Sequence, residues 1–298
     1  MNKYGIFSCA GLGDCLLIFI IAENLRRQGH QVVVFHPFMT EVQAWFPQIP
    51  IRPFPPQYEE FDRFIVVYEK SSWMKAVLDH TLVSYREQTI VLNPIATPNR
   101  DYPYWEEGQF NGAVSFADNL VSFCQNILSV QDAKKENGLC FPPQVKNPSQ
   151  VVIHPTSSRP GKNWPRAKFL EFAKAIEKQG FQPVFVVSPK ERAEWPEAPH
   201  FNNLDEMARC VASSAFMVGN DSGIGHLASC FGIPTLSLFK NGRTADFWRP
   251  AFAPNIALVP EGWLPNIKGL RWRDKYWHWG ISVRRVLRAF DQLREIGR

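Results

Sequence analysis

The sequence predicts an α/β protein built from two Rossmann-like domains, each a parallel sheet covered by helices. Three observations predict it. First, a strand-like run at residues 4–8 leads into a glycine loop, a helix, a glycine and a valine-rich run at 31–35. That is a βαβ unit, which needs a crossover and therefore a parallel sheet. Second, the polar stretch AKKENGLCFPPQVKNPSQ, residues 133–150, carries three prolines and breaks the pattern as a linker does. Third, strand, loop, helix, glycine and strand begin again at residue 151. The expected organisation is an N-terminal domain over residues 1–140, a C-terminal domain over 141–280 and a final helix over 281–298.

The bulk numbers agree. A chain of 298 residues with 45% hydrophobic content is long enough for two domains with their own cores. The net charge of +5 suits an anionic ligand or an anionic membrane surface, but it is too small to argue for nucleic acid, and no nucleic-acid motif is present. The six cysteines form no Cys-x-x-Cys pair, which reads as reduced thiols in the cytosol, most of them small buried hydrophobes.

Taken in order, the first helix spans residues 14–28 and stops at Gly29. Its apolar run at 15–22 is bounded by Asp14 and Glu23 and is shorter than the ~20 residues of a bilayer span. It reads as a buried helix. Apolar runs at 64–68 and 89–92 read as further strands, 94–108 as a loop or lid, and 113–128 as a closing helix. In the second half, strands are expected at 151–154, 183–187, 215–218 and 235–239. Helices are expected at 165–179, which Pro165 opens and Gly180 ends, and at 204–213 and 222–231. The aromatic segment WLPNIKGLRWRDKYWHWG, residues 263–280, either packs into a core or touches a membrane interface. The arginine-bearing helix at 281–296 either has one apolar face under a solvated one or bridges the two domains.

Chemistry gathers at the joints between strands and helices. In VGNDSGIGHLASCFGIPTLSLF, residues 218–239, Ser222 stands where a strand ends and a helix begins. The first turn of a helix has free N–H groups and a partial positive charge, so it holds phosphate. Gly223 and Gly225 would let a ligand approach the backbone, with Asp221 and Ser222 against ribose hydroxyls or phosphate oxygens. The plainer alternative is that Asp221 or Ser222 only caps the helix. In VVIHPTSSRPGKNWPRAKFLEFAKAI, residues 151–176, the hydroxyls of Thr156, Ser157 and Ser158 and the ammonium of Lys162 follow a strand. They suit a phosphate, although the segment is not a P-loop. Two such loops in one domain point to a diphosphate. The third loop, Gly11-Leu12-Gly13-Asp14, carries a carboxylate that would repel phosphate. Asp14 is either a helix cap or an acid–base group.

Together, HPTSSRPGKNWPRAKF, NDSGIGHLASCFGIP and GLGDCLL resemble the ADP-heptose:lipopolysaccharide heptosyltransferases, glycosyltransferase family nine. The likeness covers residues 150–240 well and the N-terminal half mainly at its first helix. The resemblance implies a GT-B fold, in which two Rossmann-like domains with parallel sheets face each other across a cleft. It implies a nucleotide-diphosphate sugar donor, ADP-heptose, on the C-terminal domain and a saccharide or glycolipid acceptor on the N-terminal one. Asp14 is then the implied general base, with Gly11 and Gly13 in the acceptor-side loop. Thr156, Ser157 and Lys162 would contact the donor's phosphates, and Glu191 in SPKERAEW its ribose. Asp221, Ser222 and Gly223, with His226 nearby, would support the diphosphate. It further implies work on a lipopolysaccharide-type acceptor at the cytoplasmic face of the membrane, with peripheral contact. No cofactor and no metal is expected, since Asp-x-Asp and His-Glu-x-x-His are both missing.

The resulting expectation is an inverting glycosyltransferase. The alternatives are a sugar-nucleotide epimerase-like enzyme and an inactive GT-B protein that only binds nucleotide. A serine hydrolase is disfavoured because Asn220 and Ile224 stand where a nucleophile elbow needs glycines.

Overall fold

The computed structural model describes residues 1–93, 110–261, 266–267 and 270–297. The expected loop or lid at 94–108, and much of 263–271, lie outside the described residues. Contacts divide the chain into two units, Met1–Phe141 and Pro142–Arg298.

The first unit runs β1 (Lys3–Phe7), α1 (Leu12–Arg27), β2 (Gln31–Phe35), β3 (Ile51–Arg52), β4 (Arg63–Val67), α2 (Ser72–Ser84), β5 (Thr89–Leu92) and α3 (Phe116–Asn126). The five strands are parallel in the order β3-β2-β1-β4-β5. The helix α1 has apolar residues on every side and is accordingly buried almost throughout from Cys15 to Leu25, against β2 and α3. Its two late polar residues are neutralised locally. Glu23 takes both Nε and a terminal nitrogen of Arg26 at 2.8 Å, and the Asn24 amide binds the backbone of Lys134. The helix ends at Gly29, whose φ of +83° needs a residue without Cβ. No helix of the described residues is long and apolar enough to cross a membrane.

The second unit runs β6 (Asn147–His154), α4 (Arg166–Glu177), β7 (Gln182–Phe185), α5 (Leu204–Ala212), β8 (Ser214–Asn220), α6 (Gly223–Cys230), β9 (Thr235–Leu238), α7 (Gly242–Trp248) and β10 (Asn255–Leu258). An antiparallel pair, β11 (Asn266–Ile267) and β12 (Leu270–Arg271), a short α8 (Trp272–Tyr276) and α9 (Val283–Ile296) follow. Its five-stranded sheet is also parallel, in the order β10-β9-β8-β6-β7. Strand β6 begins earlier than its apolar run, inside the polar linker. Pro148 lies where the β6–β8 register shifts, between Asn147 and Val151.

The last helix spends its apolar face within the second unit. Val283, Val286, Ala289, Phe290 and Leu293 are buried against α4, β9 and β10, and Phe290 meets Phe172, Phe181 and Phe216 edge-on. The aromatic segment divides. Trp277 is 1% exposed and part of this core, whereas Trp272 and Trp279 are 51% and 64% exposed.

Strands β6 and β8 approach unusually closely at Gly219. A Cβ there would lie 2.5 Å from the His154 carbonyl oxygen. Gly219→Ala is expected to cost about 1–3 kcal/mol, the usual penalty of forced overpacking. Calorimetric melting will show a Tm several degrees lower, while Gly112→Ala, where a Cβ would meet nothing within 4 Å, will melt like the parent.

Candidate nucleotide-binding site

In the second sheet the strand order reverses between β6 and β8. Ligands of open α/β sheets bind outside the carboxyl ends of the strands at such a point. Both loops singled out in the sequence leave the sheet there, one after His154 and the other after Asn220.

Asn220 ties the two loops together. It is fully buried. Its Nδ2 donates to the Pro155 carbonyl at 2.6 Å, and its Oδ1 accepts the Trp164 N–H at 3.0 Å. Sequence reasoning passed over this residue. The available signal was a carboxamide closing an apolar run, at a place where a buried polar group must have partners. On this frame, Lys162 Nζ reaches Asp221 Oδ2 at 2.6 Å, in a half-buried ion pair. The fold thus joins a cation and an anion that lie 59 residues apart in the chain.

Ser222 resolves one alternative. Its backbone has cap geometry, φ −159° and ψ 163°, but its side chain makes no capping hydrogen bond to α6. The side chains of Ser71, Ser115, Asn203, Asn241 and Ser282 all accept a helix N–H. Ser222 Oγ is instead buried without a protein partner, as are Thr156 Oγ1 and His226 Nδ1. Leaving such groups unmatched costs free energy, and among the described residues five more lie elsewhere, on His36, Thr81, Asn93, Thr235 and Ser237. Gly223 is the first residue of α6, with His226 one turn on. Burial lowers the His226 pKa to about 4, so near neutral pH its ring is uncharged.

The remaining residues shape the loops. Ser157 Oγ lies 2.9 Å from the Arg159 carbonyl and 2.7 Å from Asn163 Oδ1, so it is engaged within its own loop. Glu191 follows β7, and its Oε2 accepts the N–H and hydroxyl of Ser188 at 2.9 and 2.6 Å. His154 is buried and its pKa lowered, so it is neutral, and its Nδ1–H donates to the Val186 carbonyl at 2.6 Å.

In the first unit the order reverses between β1 and β4, and the Gly11–Asp14 loop leaves from β1. Gly11, not Asp14, holds the cap position of α1, and Asp14 lies within the first turn. Gly11 is also where the Asp14 carboxylate folds back, since a Cβ on Gly11 would collide with Asp14 Oδ2. Gly13 is buried. The preceding residue, Ala10, donates its N–H to Glu69 Oε2 at 2.8 Å, while Glu69 Oε1 accepts Trp73 Nε1 at 2.7 Å. Burial pushes the Cys9 thiol pKa well up, and the charges of Asp14 and Glu69 add to it. Glu69 is a second residue that the sequence reading did not select.

The neutral His226 generates a pH prediction. Its folded pKa of about 4 lies below the unfolded value of about 6.5, so between those pH values only the unfolded chain takes up the proton. Its contribution is complete above pH ~6.5 and is lost as pH falls toward ~4, to a total of about 3 kcal/mol. His36, lowered to about 4 by burial, acts in the same direction in the first unit. Urea unfolding at pH 7 and pH 4.5 will show a lower midpoint at pH 4.5, and a smaller pH difference in His226→Gln.

Comparison with known proteins shows what these loops are similar to. Residues 123–261 match the model of Glycosyltransferase family 9 (heptosyltransferase). The chain is 30% identical over 115 residues to lipopolysaccharide heptosyltransferase 3 of Escherichia coli (strain K12), over 34% of this chain and 33% of that protein. The match therefore spans about a third of that relative's length. Two solved structures share the fold along nearly the whole chain. The family 9 glycosyl transferase of Veillonella parvula DSM 2008 has 17% identity, covers 98% of this chain and 97% of its own, and gives a TM-score of 0.66. The E. coli ADP-heptose lps heptosyltransferase II has 17% identity, 98% coverage of both chains and a TM-score of 0.61. Residues 123–261, which hold both loops of the second switch point, match the glycosyltransferase family 9 model, and the chain shares the GT-B fold of these structures.

Proposed function

We propose that the protein is an inverting glycosyltransferase that moves a sugar from a nucleotide-diphosphate donor to a hydroxyl of an acceptor. The observation that carries this reading is the Lys162–Asp221 pair beside the unpartnered Ser222 hydroxyl, at the carboxyl ends of β6 and β8. The same constellation suits a diphosphate. Lys162 is half exposed and can turn from Asp221 to a phosphate oxygen. The first amides of α6 and the Ser222 and Thr156 hydroxyls supply further donors without a large rearrangement. Glu191 is the candidate partner of the ribose hydroxyls, through the carboxylate oxygen not held by Ser188. Neutral His226, one turn into α6, adds hydrogen-bonding capacity without charge.

The finer reading is ADP-heptose as donor and a lipopolysaccharide-type glycolipid as acceptor. It is supported by the family model over residues 123–261 and by the activity named for the E. coli protein of like fold. In this scheme Asp14 takes the proton of the acceptor hydroxyl. That oxygen attacks the anomeric carbon from the face opposite the diphosphate, and the charge leaving on the diphosphate meets Lys162 and the α6 amides. A helix N-terminus favours the ionised carboxylate and so weakens Asp14 as a base. Desolvation by a bound acceptor would oppose that effect. Action at the cytoplasmic face of a membrane follows from such an acceptor and is supported by six free thiols and by the exposed Trp272 and Trp279.

Three measurements test this. Asp14→Ala is expected to lower kcat about 10²–10⁴-fold, the usual worth of a positioned base, while ADP binds as before. Unchanged turnover would remove Asp14 from the mechanism. Lys162→Ala is expected to weaken ADP about tenfold or more in calorimetry, as loss of a charge-assisted hydrogen bond does. In a thermal-shift series of ADP-, UDP-, GDP- and TDP-sugars, the ADP-sugar should stabilise the fold most, by mass action. A larger shift with another base would correct the donor.

A further inference from the structure

The end of the chain is built into the loop that carries Lys162. After α8, residues Trp277–Gly280 form a single 3-10 turn, and Ile281 leads into α9. Trp277 is 1% exposed, and its Nε1–H donates to the Gly161 carbonyl at 3.1 Å. Trp164, also 1% exposed, sends its own Nε1–H in return to the Ile281 carbonyl at 3.0 Å. The Lys168 ammonium donates to the carbonyls of His278 and Ile281 at 2.7 and 2.9 Å, and stands 5.6 Å from the centroid of the Trp164 ring. Two indoles and one ammonium thereby bind segment 161–168 to segment 277–281 across sequence separations of 110 to 117 residues.

The loop needs such an anchor. Residues 158–161 are exposed and bury almost nothing of their own. Their local backbone hydrogen bonds are Lys162 N–H to Arg159 and Asn163 N–H to Pro160. An exposed glycine stands immediately before the lysine, and a glycine peptide left to itself samples many conformations. The bond from Trp277 holds the carbonyl of that glycine to a side chain locked in the core, where the tryptophan has only one N–H to give.

The geometry points to Trp277 as the positioning residue of the diphosphate-binding lysine: its indole N–H fixes the Gly161 peptide, and with it the place from which Lys162 reaches the carboxyl end of β8. This inference rests on the reading of Lys162 as a diphosphate ligand. Trp277 lies outside the residues that match the family model, and the segment it belongs to suggested only core packing or membrane contact in the sequence.

The test is a double-mutant cycle read by ADP calorimetry on the full chain, with parent, Trp277→Phe, Lys162→Ala and the double variant. Phenylalanine keeps an aromatic ring in the core and removes the N–H. Trp277→Phe is expected to weaken ADP about three- to tenfold, the worth of one hydrogen bond. In the Lys162→Ala background it should weaken ADP no further, because the two act as one unit. A loss that adds in full to that of Lys162→Ala would show Trp277 to be a core residue only and overturn the inference. So would normal ADP affinity in Trp277→Phe beside a weakened Lys162→Ala. If Lys162→Ala itself binds ADP normally, the diphosphate reading fails first. Should Trp277→Phe not fold, Lys168→Met, which cuts the two carbonyl bonds from the other side, decides by the same cycle.

Discussion

The contact on which the second unit depends is the approach of β8 to β6. Two parallel strands meet there as neighbours although a helix, a strand and another helix separate them in the chain. Gly219 lets the backbones close to a distance that any side chain would prevent. One residue later, Asn220 converts that approach into a link between loops by bonding Pro155 and Trp164. Without the first contact the second has no geometry, and without the second Lys162 has no fixed relation to Asp221. A buried carboxamide with both ends satisfied is stabilising and directional, which an apolar residue of the same volume would not be.

The two switch points carry opposite electrostatics. In the second unit, helix-end amides, a lysine and spare hydroxyls face the place where a sheet of this order receives its ligand. In the first unit the same position of the βαβ unit carries Asp14, with Glu69 holding the amide of Ala10 in the turn before it. Backbone architecture of this kind is indifferent to the sign of what it presents, since the loop residues decide it.

Helix starts in the described residues are satisfied in two ways. Among the described residues, the N-cap side chains of α2, α3, α5, α7 and α9 accept a helix N–H, which is the cheap way to satisfy a helix end. Ser222 stands in a cap backbone yet keeps its hydroxyl uncommitted, and Thr156 and His226 do the same.

The sequence by itself determined the class and much of the element order. Glycine-punctuated βαβ patterns, the linker and the strand-to-helix joints follow from local rules of turn geometry, capping and apolar periodicity. Gly29 and Gly180, read as helix stops, both have the positive φ that suits them. What local rules could not show was short or patterned weakly. The two residues of β3, the mixed α2 and the half-exposed β10 fall below any periodic signal. The early start of β6 was hidden in polar residues that pair only because β8 lies beside them. The chemistry divides in the same way. Lys162, Asp221 and Ser222 were legible as residue types at strand ends. That Lys162 pairs with Asp221, that Ser222 does not cap its helix, and that Asn220, Glu69 and Trp277 hold the loops were decided only in three dimensions. Each of these facts is a relation between side chains far apart in the chain. Hydrogen bonds and ion pairs act over a few ångströms, and only the folded sheet brings such partners within that range.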